Sequence, residues 1–525
     1  MMFLSLTVMV EAGREWAQDL TETLTTTLPA LNVFHIGVLL ILIYFGAVAI
    51  YNVYFHPLAG FPGPILARSS LLWRMYHSMG GRFHRAIDQQ HRIYGPVVRV
   101  SPDELSFSSA SSWKTIYGQQ STPAPTQTPT KSEFYEMYGA AFDSWCIASE
   151  RDPQKHRRMK KALSGSFSHR ALIEQEQIVA GCVERFVAKI GERGLLDNKN
   201  INDKKKKGQE EEGLDMTKWY EMVAFDVLGE LAFGESFHSI ENGKPHFWSE
   251  LIENHLYFIA LADNLRRLFP LVIPLVKRLF LSFRVVRRHV AYTRGKIASR
   301  LATKASRKDF LTNLVDKVET GEMEREELTA HASTLVIAGG ETVATFLATI
   351  TFYLLKEQQA YDKLRDEIRS HFRSYEDICA VAAQQLPYLQ AVIKEALRIH
   401  PPGSQGFPRV SPGVFVDGYW VPAGTELYTS AWSVTHDERN FHDPFKFKPE
   451  RWLDPRCTDN KEASQPFSLG PRACLGRNVA YMEINLILAK LLWKYDLELV
   501  DDKLDWESES RLHVMWSKPE LRTRF

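Results

Sequence analysis

Apolar residues run unbroken in one stretch of this chain and recur at fixed intervals in others, and these patterns divide it. Val33 to Tyr51 is interrupted only by His35 and small residues, and no Asp, Glu, Lys or Arg occurs from Thr23 to Ala67. A run of about 20 apolar residues is what a helix needs to cross a bilayer. His56-Pro57-Leu58-Ala59-Gly60-Phe61-Pro62-Gly63-Pro64 follows, a density of proline that ends a helix and predicts a short, stiff elbow. Val97–Val100 and Glu104–Phe107, around the Ser101-Pro102-Asp103 turn, read as strands. Gln119 to Lys131, rich in Thr, Pro and Ser, reads as a loop. Beyond Gln177 the apolar positions keep helical spacing as far as Pro401. Extended segments return at Val414–Val416, Trp420–Val421 and Glu426–Tyr428, and Val479, Met482, Ile484, Leu486 and Ile487 mark a buried helix. The fold class is therefore mainly α with small β-sheets near each end (α+β).

Two segments depart from this pattern. Residues 199–213 carry four consecutive lysines and then three consecutive glutamates, a charged, flexible insertion with nothing to contribute to a core. Between Arg266 and Arg288 seven basic residues and no acidic ones are interleaved with leucine, valine and phenylalanine. Such a segment suits a membrane interface, or equally a core helix with a basic solvent face.

Composition narrows the function. A net charge of +1 gives no case for nucleic acid. The five cysteines (Cys146, Cys182, Cys379, Cys457 and Cys474) are scattered without a CxxC pair, which argues for a reducing compartment. The leader carries Glu11, Glu15, Asp19 and Glu22 against Arg14, whereas Arg68, Arg74, Arg82 and Arg85 precede the first acid downstream, Asp88. A signal peptide would reverse that balance, and the positive-inside rule leaves the bulk of the chain on the cytosolic side.

Three motifs carry chemistry. In Phe467-Ser468-Leu469-Gly470-Pro471-Arg472-Ala473-Cys474-Leu475-Gly476, glycines stand four residues before and two after the cysteine, with Arg472 two before and Phe467 seven before. A tight glycine loop opening onto a helix N-terminus can aim a thiolate at a metal; the alternative is a turn around a structural cysteine. Ala338-Gly339-Gly340-Glu341-Thr342 lies inside a long apolar helix, where each glycine costs about 1 kcal/mol against alanine. Close packing, a ligand or a local break would justify them, and a buried Glu341 needs either a structural partner or a task. Glu395 and Arg398, three apart on a helix, are followed by Phe447-Lys448-Pro449-Glu450-Arg451-Trp452 with a further arginine.

These motifs, in their order along the chain, resemble the cytochrome P450 family, and the hinge, Tyr51–Phe55 and Phe225–Gly234 resemble its fungal microsomal branch. The resemblance implies haem b with Cys474 as the axial thiolate ligand of the iron. It implies Phe467, Gly476, Ala338 and Gly339 against the haem, and Arg472 and Arg409 on its propionates. A third propionate cation falls at Lys160, where the family has arginine; Arg157 or Arg158 could substitute. Thr342 and Glu341 would handle protons, and Glu395, Arg398 and Arg451 would lock the core. A kinked helix would pass over the iron, leaving room for dioxygen. Phe134–Trp145, Leu335, Val336, Gln405–Phe407 and Val514–Met515 would line a mostly apolar pocket.

The expected organisation is a lumenal leader over 1–32, a transmembrane anchor over 33–54, a hinge over 55–65 and a haem-thiolate monooxygenase domain over 66–525. The expected reaction inserts one oxygen atom of O2 into a hydrophobic small molecule, a terpenoid or polyketide of fungal secondary metabolism, by hydroxylation or epoxidation. Electrons would come from NADPH through cytochrome P450 reductase, with cytochrome b5 as a further partner. The protein would be single-pass in the endoplasmic reticulum membrane, in contact with lipid. A haem-thiolate isomerase or peroxygenase that dispenses with the reductase is the alternative, and retention of both Glu341 and Thr342 argues against it.

Overall fold

The structure is a computed structural model that describes residues 35–118, 128–139, 141–205, 213–268, 284–302 and 309–525. The leader over 1–32 lies outside them. The apolar run forms α1 (His35–Phe55), 21 residues whose large side chains are exposed. Its last turns are fastened to the globular part. Asn52 donates to the Ser69 carbonyl at 3.0 Å, Arg68 donates to those of Val53 and Ala59 at 3.1 and 2.9 Å, and Arg99 donates to that of Asn52 at 2.7 Å. Arg68 and Arg99 thereby satisfy the Val53 and Asn52 carbonyls, freed where the helix ends before Pro57. Two short helices follow, α2 (Ile65–Ser69) and α3 (Leu72–Met79), and then α4 (Phe83–Tyr94).

The expected strands form where alternation placed them. A five-stranded sheet takes β1 (Val97–Ser101), β2 (Glu104–Phe107), β3 (Thr130–Lys131), β4 (Arg409–Val410) and β7 (Glu426–Thr429) in the order β1-β2-β7-β4-β3. Thr130 and Lys131, expected at the end of a loop, are thus a strand, and the register sets Lys131 opposite Arg409. The hairpin β5 (Val414–Val416) and β6 (Tyr419–Val421) stands apart, as does β8 (Arg511–His513) with β9 (Met515–Ser517). The helix α5 (Ala110–Tyr117) connects β2 to the segment leading into β3.

The helical body is built from α6 (Pro153–Ser164), α7 (His169–Lys205), α8 (Met216–Phe233), α9 (Phe247–Leu268), α10 (Arg284–Ala302), α11 (Arg325–Lys356), α12 (Gln358–His371), α13 (Pro387–Ile399) and α15 (Arg477–Lys494), with the short α14 (Ala431–Thr435) between β7 and the site loop. Helix thus begins well before Gln177. The large apolar core is centred on α8 and α11, both buried along nearly their whole length. Helix α7 continues to Lys205, so the first part of the charged insertion is helical; residues 206–212 lie outside the described ones. The basic segment is divided likewise. Residues 269–283 are not described, but Arg266 and Arg267 do not face lipid or solvent: they are buried against Asp263 at 2.7 and 3.0 Å, and Arg267 also reaches Glu426. Desolvated arginines need such partners, and Asp263 of the same helix and Glu426 of the first sheet supply them.

Candidate active site

The loop before α15 is held by glycine geometry. Gly470 has φ +71°, and a Cβ there would stand 2.1 Å from the Tyr117 carbonyl oxygen, so no other residue fits without moving α5. The Cys474 N–H donates to the Phe467 carbonyl at 2.9 Å, closing the loop, and the Phe467 ring packs on Tyr481 with centroids 5.5 Å apart. Cys474 is exposed on one side and walled by protein on the others. That protein pushes its thiol pKa up by desolvation, while the N–H groups of Gly476 and Arg477 and the Arg477 charge favour the thiolate. Gly476 caps α15, whose N-terminus adds a fixed positive dipole end.

Helix α11 shows a single accessible stripe. From Glu327 to Leu354 every residue is buried except Leu335, Ala338, Gly339 and Thr342, spaced three and four apart along one face. The helix is continuous from Arg325 to Lys356 and not broken at its glycines. They instead admit α8: a Cβ on Gly340 would meet Phe225 Cε2 at 2.9 Å, and one on Gly339 would meet Leu228 Cδ1 at 3.0 Å. The Thr342 hydroxyl donates back to the Ala338 carbonyl at 2.6 Å. Glu341 points away from the stripe into the protein. It pairs with Lys518 and accepts from the Thr345 hydroxyl at 3.3 Å.

Four basic groups converge beside the loop. Arg472 donates to the carbonyls of Glu150 and Arg151, each at 2.7 Å. Arg409 donates to Tyr135 Oη at 3.1 Å and stacks over the Tyr117 ring. Lys131, across the strand from Arg409, donates to the carbonyls of Ile147 and Ala148 at 2.9 and 2.6 Å. His156 is buried on α6. Burial and the neighbouring cations hold Lys131 well below the usual lysine range, lower Arg472 to about 10 and lower His156 to about 3. Mutual repulsion in a desolvated site is tolerated where an anion completes it. Lys160 contributes to this field but aims elsewhere, its amine donating to the Pro471 carbonyl at 2.7 Å on the exposed side of the loop. Arg158 is committed to Glu327 at 2.9 Å.

Glu395, Arg398 and Arg451 meet in a fully buried network. Arg398 makes a two-pronged pair with Glu395 at 2.9 and 2.8 Å, Arg451 Nε reaches Glu395 at 3.1 Å, and Trp452 Nε1 adds a donor at 2.9 Å. Arg398 also donates to the carbonyls of Thr435 and Pro444, tying α13 to the segment that leads into the cysteine loop.

Sequence reasoning missed Lys131, His156 and Lys518. His156 had a signal: Asp152 caps α6 and Pro153 starts it, which puts His156, Met159 and Leu163 on its buried face. Lys131 lies in the two-residue β3 and Lys518 directly after β9, and no local pattern marks either.

The cysteine loop carries a thiol, basic side chains gather around its Arg472, and α11 shows an accessible stripe. Haem fits this donor set: a soft thiolate for iron, and cations for two propionates. Residues 60–525 match the family model described as cytochrome P450. The cytochrome P450 monooxygenase ORF9 of Penicillium roqueforti (strain FM164) is 59% identical over 485 residues, 92% of each chain. The monooxygenase BOT4 of Botryotinia fuckeliana is 50% identical over 494 residues, 93% of this chain and 90% of its own, and BOA3 of Botryotinia fuckeliana (strain B05.10) is 39% identical over 499. The chain belongs to the cytochrome P450 family. It is a haem-thiolate monooxygenase of the kind that draws electrons from NADPH through a reductase.

Proposed function

We propose that the chain is a membrane-anchored enzyme of fungal secondary metabolism that hydroxylates or epoxidises a hydrophobic terpenoid or polyketide. The observation that carries the site assignment is the gathering of Arg472, Arg409 and Lys131 beside Cys474, with the neutral imidazole of His156 against them, which leaves positive charge for a buried dianion. In this reading Cys474 ligates the iron, Arg472, Arg409, Lys131 and His156 face the propionates, and Phe467, Gly476, Ala338 and Gly339 flank the ring. Bound there, haem supplies oxygen activation. Thr342 holds a hydroxyl proton on the accessible stripe, and Glu341 holds a carboxylate behind it for relay. Glu395, Arg398 and Arg451 keep the loop in place.

The same reading puts α1 in the endoplasmic reticulum membrane with the catalytic domain in the cytosol. Supporting it, Ile65, Leu66, Phe415 and Trp420 are all exposed, and Phe61 of the hinge packs on Tyr419 of the β5–β6 hairpin, so an apolar surface surrounds the exit of α1. Reductase is the electron donor; cytochrome b5 would dock on the cytosolic side.

Two measurements test this. The reduced, carbon monoxide-bound protein should show the thiolate-type Soret band, and Cys474→Ala should abolish it; a variant that keeps the band sinks the ligand assignment. Deletion of the gene in its host should accumulate a less oxidised precursor that the purified enzyme, reductase and NADPH convert. Conversion without NADPH would refute the monooxygenase reading.

A further inference from the structure

A short turn stands between α11 and the basic side chains. Residues 146–151 fold on themselves, the Glu150 N–H donating to the Cys146 carbonyl at 2.8 Å and the Cys146 N–H to the Ser149 hydroxyl at 3.0 Å. One side of this turn faces the cations. The carbonyls of Ile147 and Ala148 take two of the three hydrogens on the Lys131 ammonium, and those of Glu150 and Arg151 take one from each terminal nitrogen of Arg472. Arg151 returns a bond from its Nε to the Lys131 carbonyl at 3.1 Å. The other side is fastened to α11. Cys146 Sγ lies 2.8 Å from Thr334 Oγ1, and the Ile147 N–H donates to His331 Nδ1 at 3.3 Å. Cys146, His331 and Thr334 are all buried. The acceptor role of Nδ1 assigns the ring proton to Nε2, which faces Glu327 Oε1 at 3.7 Å.

We propose that His331 is a positioning residue for the haem. Through the Ile147 N–H it holds a strap, residues 146–151, whose carbonyls aim Lys131 and Arg472, and the Cys146–Thr334 contact is the second fastening. The inference rests on the reading that these two cations face the propionates. Fixing a lysine side chain costs rotamer freedom. The strap has already fixed Lys131, so its third ammonium hydrogen meets an anion without that cost. Arg472 keeps its Nε–H and one hydrogen on each terminal nitrogen for the same use. His331 and Thr334 stand one helical turn before Leu335 and Ala338 of the accessible stripe. The same turns of α11 therefore carry the stripe and hold the cations in register with it.

The test uses the full-length holoprotein in lipid nanodiscs with His331→Leu, His331→Asn, Thr334→Val, Lys131→Met and His331→Leu combined with Lys131→Met. Two readouts report on the cations rather than on stability. One is the rate of haem loss to an apomyoglobin acceptor. The other is the ferric–ferrous midpoint potential, which a cation near the haem raises by favouring the reduced, more negative state. His331→Leu removes the acceptor and should speed haem loss severalfold and lower the potential. His331→Asn can still accept from Ile147 and should bring both back toward the parent values. Thr334→Val, which keeps the shape of the side chain and so the fold, should shift both the same way by less, and no shift would count against the strap. Combined with Lys131→Met, His331→Leu should add little, because the residue it acts through is gone; fully multiplicative effects would overturn the proposal. So would a His331→Leu protein that melts lower but keeps its haem-loss rate and potential, since its role would then be structural. If Lys131→Met alone changes neither readout, the reading that Lys131 faces the haem fails. A large Lys131 effect with none from His331→Leu sinks the strap and leaves that reading standing.

Discussion

Among the basic side chains around Arg472, the lysine that the fold buries is not the one to which the motif pointed. Lys160 occupies the position that the resemblance offered for a propionate contact, yet its amine is spent on the Pro471 carbonyl at the surface. Lys131 is buried, faces Arg409 across two strands and is held far below the usual lysine range by desolvation, Arg472 and Arg409. A charge so placed gains most when an anion arrives. Lys131→Met should therefore speed haem loss to an apomyoglobin acceptor by roughly tenfold, the worth of one charge-assisted hydrogen bond. Lys160→Met should change it by less than about twofold, since exposed charges contribute little. Equal effects would show that the cluster acts only as a diffuse field. The cysteine loop, by contrast, was legible to the residue, because its spacing encodes backbone geometry: Gly470 sits at φ +71° with the Tyr117 carbonyl where a Cβ would go. Gly470→Ala should cost at least about 1–3 kcal/mol of stability and weaken the thiolate-type Soret band; an unchanged melt would mean that α5 yields freely.

At the level of elements, periodicity located the strands and the long helices, and tertiary pairing accounts for what it left out. Thr130 and Lys131 are too few to carry a strand signal and become one only because Arg409 and Val410 lie alongside. Arg266 and Arg267 read as part of a basic surface because their partners, Asp263 excepted, are distant in sequence: Glu104 and Glu426 come from β2 and β7. The glycines of α11 have a packing cause in α8, which lies against that helix along much of its length. A methyl on Gly340 would press into the Phe225 ring at 2.9 Å, so Gly340→Ala should destabilise the fold by about 1–3 kcal/mol, the usual cost of overpacking. Phe225→Leu makes room, and the double variant should be more stable than the sum of the two single effects implies, by 1 kcal/mol or so. Strict additivity in a denaturant series would mean that the glycine is required by something on the accessible stripe instead.

The molecule as a whole buries an unusual load of neutral imidazole. His84, His91, His255, His289, His400 and His436 are each at most 5% exposed. Burial depresses all six, His91 and His255 to about 4, His400 to about 3 and the others well below 6.5. Three of them share one aromatic nest, where His400 stacks on Trp516 at 4.1 Å, His436 stacks on Trp432 at 4.1 Å, and His84 packs edge-on against both tryptophans. Each is neutral in the fold but protonates near 6.5 once unfolded, so between the two values the unfolded chain binds the extra proton. Stability from these groups is complete above pH 6.5 and is lost as pH falls below it, at about 1.4 kcal/mol per pH unit for each group. Glu483 works in the opposite sense: burial raises it to about 8, so its contribution is full below 4.5 and declines as pH rises. Burial raises Glu426, Glu507 and Asp88 in the same sense, and the six imidazoles outnumber these four carboxylates. The Tm of the holoprotein should be highest at or just above neutrality and drop steeply between pH 6.5 and 5, with several protons taken up on unfolding. A profile flat from pH 8 to 5 would mean that the imidazoles are solvated in a way their burial does not convey. His400→Phe keeps a ring against Trp516 and removes one titrating site, so it should lower the proton uptake by about one and make the acid limb shallower; an unchanged slope would assign the acid sensitivity to groups outside the nest.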